Sequence, residues 1–80
     1  MGHRRPSPQR LAVKLLAIRA HLKMSQSKMV KLLDPDMTCA RMSEYENGVR
    51  VPNLMVLLQY ARLAGVSVES LIDDNLDLPF

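Results

Sequence analysis

The sequence predicts an all-α fold of five short helices, and three observations carry that prediction. Apolar residues, 48% of the 80-residue chain, recur at spacings of three and four rather than two. Aromatic residues are only 4%, namely Tyr45, Tyr60 and Phe80, so Leu, Val, Ile, Ala and six Met must fill the interior. That composition favours helices over strands. Capping residues, Pro and Gly punctuate the chain at short intervals. A chain of this length forms one domain with a small core, which depends on close helix packing or on pairing of subunits.

The elements follow in order. Residues 1–7, with Arg4, Arg5 and Pro6, lack the apolar content to pack and read as a flexible basic arm. Ser7 can cap a first helix whose first position is Pro8; Leu11, Leu15, Ile18 and Leu22 then share one face, giving a helix from about Pro8 to Leu22. Ser25 caps a second helix near 26–33, carrying Met29, Leu32 and Leu33, with Lys28 where a full capping box would have Glu. Asp34-Pro35-Asp36 breaks it, because Pro disfavours helical geometry in the residue before it. A third helix restarts at Pro35 or just after Thr38 and ends at Gly48. Asn53 caps the fourth, with Leu54, Leu57, Leu58 and Ala61 as its apolar stripe and Gly65 as a left-handed stop. Ser67 caps a short fifth with Leu71 and Ile72, so the domain covers 8–73. Residues 74–80 form an acidic and apolar tail, a polar exit available for a dimer or partner contact.

The net charge of +3 hides an asymmetry. Arg4, Arg5, Arg10, Lys14, Arg19 and Lys23 make residues 1–24 basic without an acidic side chain, whereas the last twenty set only Arg62 against Glu69, Asp73, Asp74 and Asp77. A basic first third suits a polyanion; the plain alternative is a solvated helix face plus a tail. Cys39 alone allows no internal disulfide, and with only His3 and His21 beside it no zinc set is expected. No apolar run approaches the ~20 residues needed to cross a bilayer, so a cytoplasmic protein without membrane contact is expected. Acidic residues gathered in turns and the tail, with no glycine-rich phosphate loop and no ordered Ser, His and Asp set, argue against an enzyme and against a cofactor.

The ordered set Leu15, Ile18-Arg19, Leu22, Met24-Ser25-Gln26, Met29, Leu32-Leu33, Met42-Ser43, Tyr45-Glu46-Asn47-Gly48, Arg50, Pro52, Leu54 and Ala64-Gly65-Val66-Ser67 resembles the Cro and lambdoid phage repressor, or XRE, family. The resemblance spans roughly residues 9–73, and the end of the chain is similar to short bacterial regulators of this type. It implies a repressor-like helix-turn-helix domain in which the second helix crosses the DNA backbone and the third enters the major groove. It implies further a transcriptional regulator of bacterial or phage origin, a repressor acting by occupying its operator, paired as a homodimer on double-stranded DNA.

By that resemblance Gln26, with Ser25 and Lys28 at the same helix start, faces a phosphate; the plain reading of Gln26 is a solvent-exposed helix start. Asn47, Gly48 and Arg50 resemble the backbone-contacting loop, with Arg50 as phosphate ligand or as a free surface arginine. Cys39, Ala40, Ser43 and Glu44, with Arg41 in reach, occupy the base-reading positions. Cys39 and Ala40 offer little beyond contact with a thymine methyl group, and Glu44 can accept from cytosine. Arg19 and Glu46 match the family's structural ion pair. Eleven residues lie between Leu33 and Tyr45, two more than is usual in the family, so either the turn is longer or the third helix gains a turn that puts Asp36 or Met37 at its groove-facing end. Arg4 and Arg5 either follow a minor groove or make no contact. Tyr45, Met24, Met29 and Met42 read as core, and a dimer patch is expected from Val68, Leu76, Leu78 and Phe80 with Met55 and Leu58. Two other functions stay open: an antitoxin whose tail holds a partner protein, and a protein-interaction module that has lost its groove contacts.

Overall fold

The computed structural model describes residues 8–80, which form five helices and no strand. They are α1 (Leu11–His21), α2 (Gln26–Leu33), α3 (Cys39–Glu46), α4 (Leu54–Ala64) and α5 (Val68–Ile72). The expected arm, with Arg4, Arg5 and the cap candidate Ser7, lies outside the described residues. Among the described residues no helix is long and apolar enough to cross a membrane.

Four helices begin as their local sequence dictates. The Ser25 hydroxyl accepts from the Lys28 amide at 3.2 Å, Thr38 from Arg41 at 3.1 Å, Asn53 from Val56 at 2.9 Å and Ser67 from Ser70 at 3.2 Å. Each satisfies one amide that the helix itself leaves without a partner. Three helices also stop alike, in a left-handed residue followed by a six-to-one hydrogen bond. Met24 donates to the Arg19 carbonyl (3.2 Å), Val49 to Glu44 (2.9 Å) and Val66 to Ala61 (2.9 Å). Gly48 and Gly65 supply positive φ at two of these stops, and Lys23, at φ 56°, supplies the third against the preference of its Cβ.

α1 departs from expectation at its start. It begins at Leu11 rather than Pro8, with Arg10 before it and no side-chain cap from its own segment. Its cap comes instead from the far end of the chain: the Asp74 carboxylate accepts from the backbone amides of Gln9 (2.9 Å) and Arg10 (3.0 Å). The residues after α5 are therefore no polar exit. Asp73–Leu76 turn back, the Arg10 guanidinium donates to the Asp74 carbonyl (2.8 Å) and pairs with Asp77, and Phe80 stacks on His21 at 3.8 Å. The segment 74–80 belongs to the same packed unit as 8–73.

Of the two starts open to the third helix, Thr38 is the one adopted. The two extra residues are taken up before it, in a turn where Met37 donates to the Asp34 carbonyl (3.0 Å) and Asp36 to the Asp34 side chain (2.9 Å), with Pro35 presetting the bend. Asp36 and Met37 thus precede α3 and do not form its leading end.

The core joins Leu11, Leu15 and Ile18 of α1, Met29, Val30 and Leu33 of α2, Met42 and Tyr45 of α3, Val56, Leu57, Tyr60 and Ala61 of α4, and Leu71 of α5. Two stripes are rotated from expectation. Leu32 is exposed and Val30 is buried; Leu54 is exposed and Leu58 half-buried, while Val56 and Tyr60 point inward. Where apolar residues stand at neighbouring helix positions, tertiary packing rather than periodicity chooses the buried face. Leu15 and Ile18, fully buried, contribute roughly 1.5–3 kcal/mol each by removal from water.

A lysine completes the core where α5 ends. Lys14 is 3% exposed, and its ammonium donates to the carbonyls of Ser70 (2.8 Å), Asp73 (2.9 Å) and Leu76 (2.7 Å). A cation beside the carbonyl end of a helix meets both the unsatisfied acceptors and the negative end of the dipole.

Candidate nucleic-acid interface

α3 buries Met42 and Tyr45 and turns Glu46 toward α1, which leaves Ala40, Ser43 and Glu44 pointing away from the core at helical spacing. Cys39 and Arg41 flank this face and are exposed. The five residues expected to read bases thus share the exposed side of one helix. Asn47 continues it, its amide donating to the Ser43 hydroxyl at 3.2 Å.

Glu46 fixes the position of this helix. Arg19 donates to it twice, Nε to Oε2 at 2.6 Å and Nη2 to Oε1 at 3.0 Å, and to the Met24 carbonyl at 3.1 Å. The Glu46 side chain is 5% exposed, so removing it from water is offset only by this close, bidentate geometry. Hydrogen bonding to Glu46 holds the Arg19 guanidinium above its ordinary pKa, against the opposing effect of burial. Tyr60 lies in the same electrostatic neighbourhood. Its hydroxyl is buried with no hydrogen-bond partner among the described residues, and burial, helped by the Glu46 charge, pushes its pKa up.

Gln26 joins the network, since its side-chain amide donates to Glu46 Oε1 at 3.0 Å. It is half-buried rather than free at the helix start. The first turn of α2 is thereby tied to the end of α3, while Ser25 is occupied in capping and Lys28 is exposed beside it.

Glu44 is the second junction. Its Oε1 lies 3.3 Å from Arg41 Nε, one turn back, and 3.4 Å from Arg50 Nε, in the loop beyond Gly48. Its backbone carbonyl accepts from the amides of Val49 (2.9 Å) and Arg50 (3.3 Å). The carboxylate that the sequence leaves without a partner therefore faces both arginines. At 46–50% exposure the arginines remain open to solvent.

Of the basic first third, Arg4 and Arg5 lie outside the described residues. Arg10 holds the 74–77 turn, Lys14 is enclosed by carbonyls and Arg19 is paired with Glu46, so the fold itself occupies these three cations. Among the described residues, Arg41 and Arg50 are the cations paired with Glu44 of α3, and Lys28 is exposed in the first turn of α2. The dimer patch is also changed. Leu78 and Val68 pack against the core and Leu58 is half-buried, leaving Met55, Leu76 and Phe80, which also stacks on His21, as its exposed members. Sequence reasoning passed over Val49 and Val51 and assigned Leu54 to the core, yet these three and Met55 expose 55–72% of their surface. Four apolar side chains within seven positions are the sequence signal that marks them.

Among the described residues no group of His, Cys, Asp and Glu can hold a metal ion. Comparison with family models, with curated proteins and with solved structures finds no match to the chain.

Proposed function

We propose that this protein is a DNA-binding transcriptional regulator of the Cro and lambdoid repressor type, in which α2 and α3 form the helix-turn-helix. The exposed side of α3 enters the major groove, with Cys39, Ala40, Arg41, Ser43 and Glu44 toward the bases. Arg50, Asn47, Lys28 and the start of α2 at Ser25 and Gln26 meet the phosphates. Two copies read two half-sites, and occupancy of the operator represses the adjacent gene. The observation that carries this reading is the Arg19–Glu46–Gln26 network, which sets the first turn of α2 beside an α3 whose outer face is left to solvent.

Phosphate contacts make affinity fall linearly with the logarithm of salt. Titration of a random-sequence duplex between about 50 and 200 mM salt therefore tests the reading, with Arg50→Ala expected to reduce the slope by roughly one. Absence of binding to any duplex at the lowest salt would sink it and favour a protein-interaction module, the second reading, which the exposed Val49, Val51, Leu54 and Met55 support. The antitoxin reading, the third, would use a tail whose Asp74, Asp77 and Phe80 contact Gln9, Arg10 and His21 while Asp77 and Phe80 stay exposed.

A further inference from the structure

The Glu44 carboxylate stands on the outward face of α3 between the two arginines closest to that face. Its position is not a demand of the fold. The backbone carbonyl of Glu44, not its side chain, closes the helix by accepting from Val49 and Arg50, and the side chain is 37% exposed. Exposed ion pairs of this kind are weak and exchange readily. They nevertheless place a negative charge where a phosphate would otherwise draw both guanidinium groups, and near DNA that charge is repelled unless a donor receives it.

Within a major groove the donors that a carboxylate can take are exocyclic amino groups, above all cytosine N4. We propose, building on the DNA-binding reading, that Glu44 is a specificity-determining residue. Its carboxylate competes with phosphate for Arg41 and Arg50, and it releases them without penalty only on a site that offers a cytosine amino group opposite α3. On other sequences the carboxylate finds no base donor, stays with Arg41 and Arg50, and keeps them from the backbone. Weak binding to unrelated DNA and a requirement for one C·G pair then have one cause.

The test compares the full chain with its Glu44→Gln variant on a random-sequence duplex across a salt series, followed by selected-site sequencing with both proteins. The glutamine keeps the backbone bonds, so equal thermal melting of the two proteins is expected. The variant should bind the random duplex about tenfold more tightly, with a salt slope steeper by roughly one to two as the two arginines are freed. Its selected sites should lose a cytosine at one position that the parent requires, and its preference for the parent's site over random duplex should fall about tenfold. Unchanged or weaker binding of random duplex, or identical selected sites, overturns the role of Glu44 while the DNA-binding reading stands. If the parent binds no duplex at any salt, both fall together.

Discussion

Lys14 is 3% exposed, with three backbone carbonyls within 2.9 Å of its ammonium, whereas Arg50 is half exposed with a single carboxylate oxygen at 3.4 Å. The same contrast divides the molecule. Where α1 meets the 73–80 segment, Lys14 is enclosed by carbonyls that cannot leave without undoing the fold, and Arg10, half exposed, donates to the Asp74 carbonyl. Around α3, Arg41 and Arg50 share one side chain that rotation can withdraw. Among the described residues, the charge of Lys14 is thus structural and the charges of Arg41 and Arg50 are open to solvent, although the sequence alone shows the reverse emphasis.

The contrast can be broken most forcefully at Lys14. Lys14→Met fills similar volume but leaves the three carbonyls without their donor, and a loss of about 3 kcal/mol in urea unfolding is expected. A loss below about 1 kcal/mol would mean that water replaces the ammonium and that the site is not structural. Glu46→Gln comes next, since it leaves a partly buried Arg19 facing a neutral amide; about 2–3 kcal/mol should be lost in the same assay. An unchanged midpoint would reject the pair as a determinant of helix docking.

Acid sharpens the comparison more gently. The amides of Gln9 and Arg10 hold Asp74 below the usual carboxylate range, and the Arg10 guanidinium does the same for Asp77. A carboxylate whose pKa is lower in the folded state contributes stability above its unfolded value, near 3.8, and that contribution disappears as pH falls through the folded value. Below about pH 4 the contacts of 74–77 on α1 should therefore weaken. Faster amide exchange at Leu11–Lys14 in Asp74→Ala than in the parent at neutral pH, with the difference vanishing in acid, is the expected signature. The smallest effect on folding belongs to Arg50→Ala, with stability kept within about 0.5 kcal/mol while binding of duplex DNA weakens. A large loss of stability would erase the distinction between the two regions.

How far the sequence discloses this arrangement depends on the range of the signal. Ser25, Asn53, Ser67 and Gly65 act on residues three or four positions away, and their roles as caps and stop can be read directly. The stripe of α4 cannot, because Leu54 and Leu58 are as apolar as the residues that replace them in the core, and only the positions of α1, α2 and α5 decide in favour of Val56 and Tyr60. Asp74 looks like part of a solvated acidic run because its partners are more than sixty positions away. Lys14 looks like a surface charge until α5 is set against it. On α3, the outward positions follow from helical spacing once Thr38 is known to start the helix, but the link from Glu44 to Arg50 requires the turn at Gly48.

The cap that Asp74 places on α1 also orders events in time. A growing chain emerges from its amino end, so Gln9 and Arg10 are presented long before the carboxylate that satisfies them exists. α1 must wait, frayed at its start, until residue 74 has been added, and closing that long loop sets a late step in assembly. A chain ending anywhere before Asp74 would lack the closure, and the start of its α1 should be open to proteases.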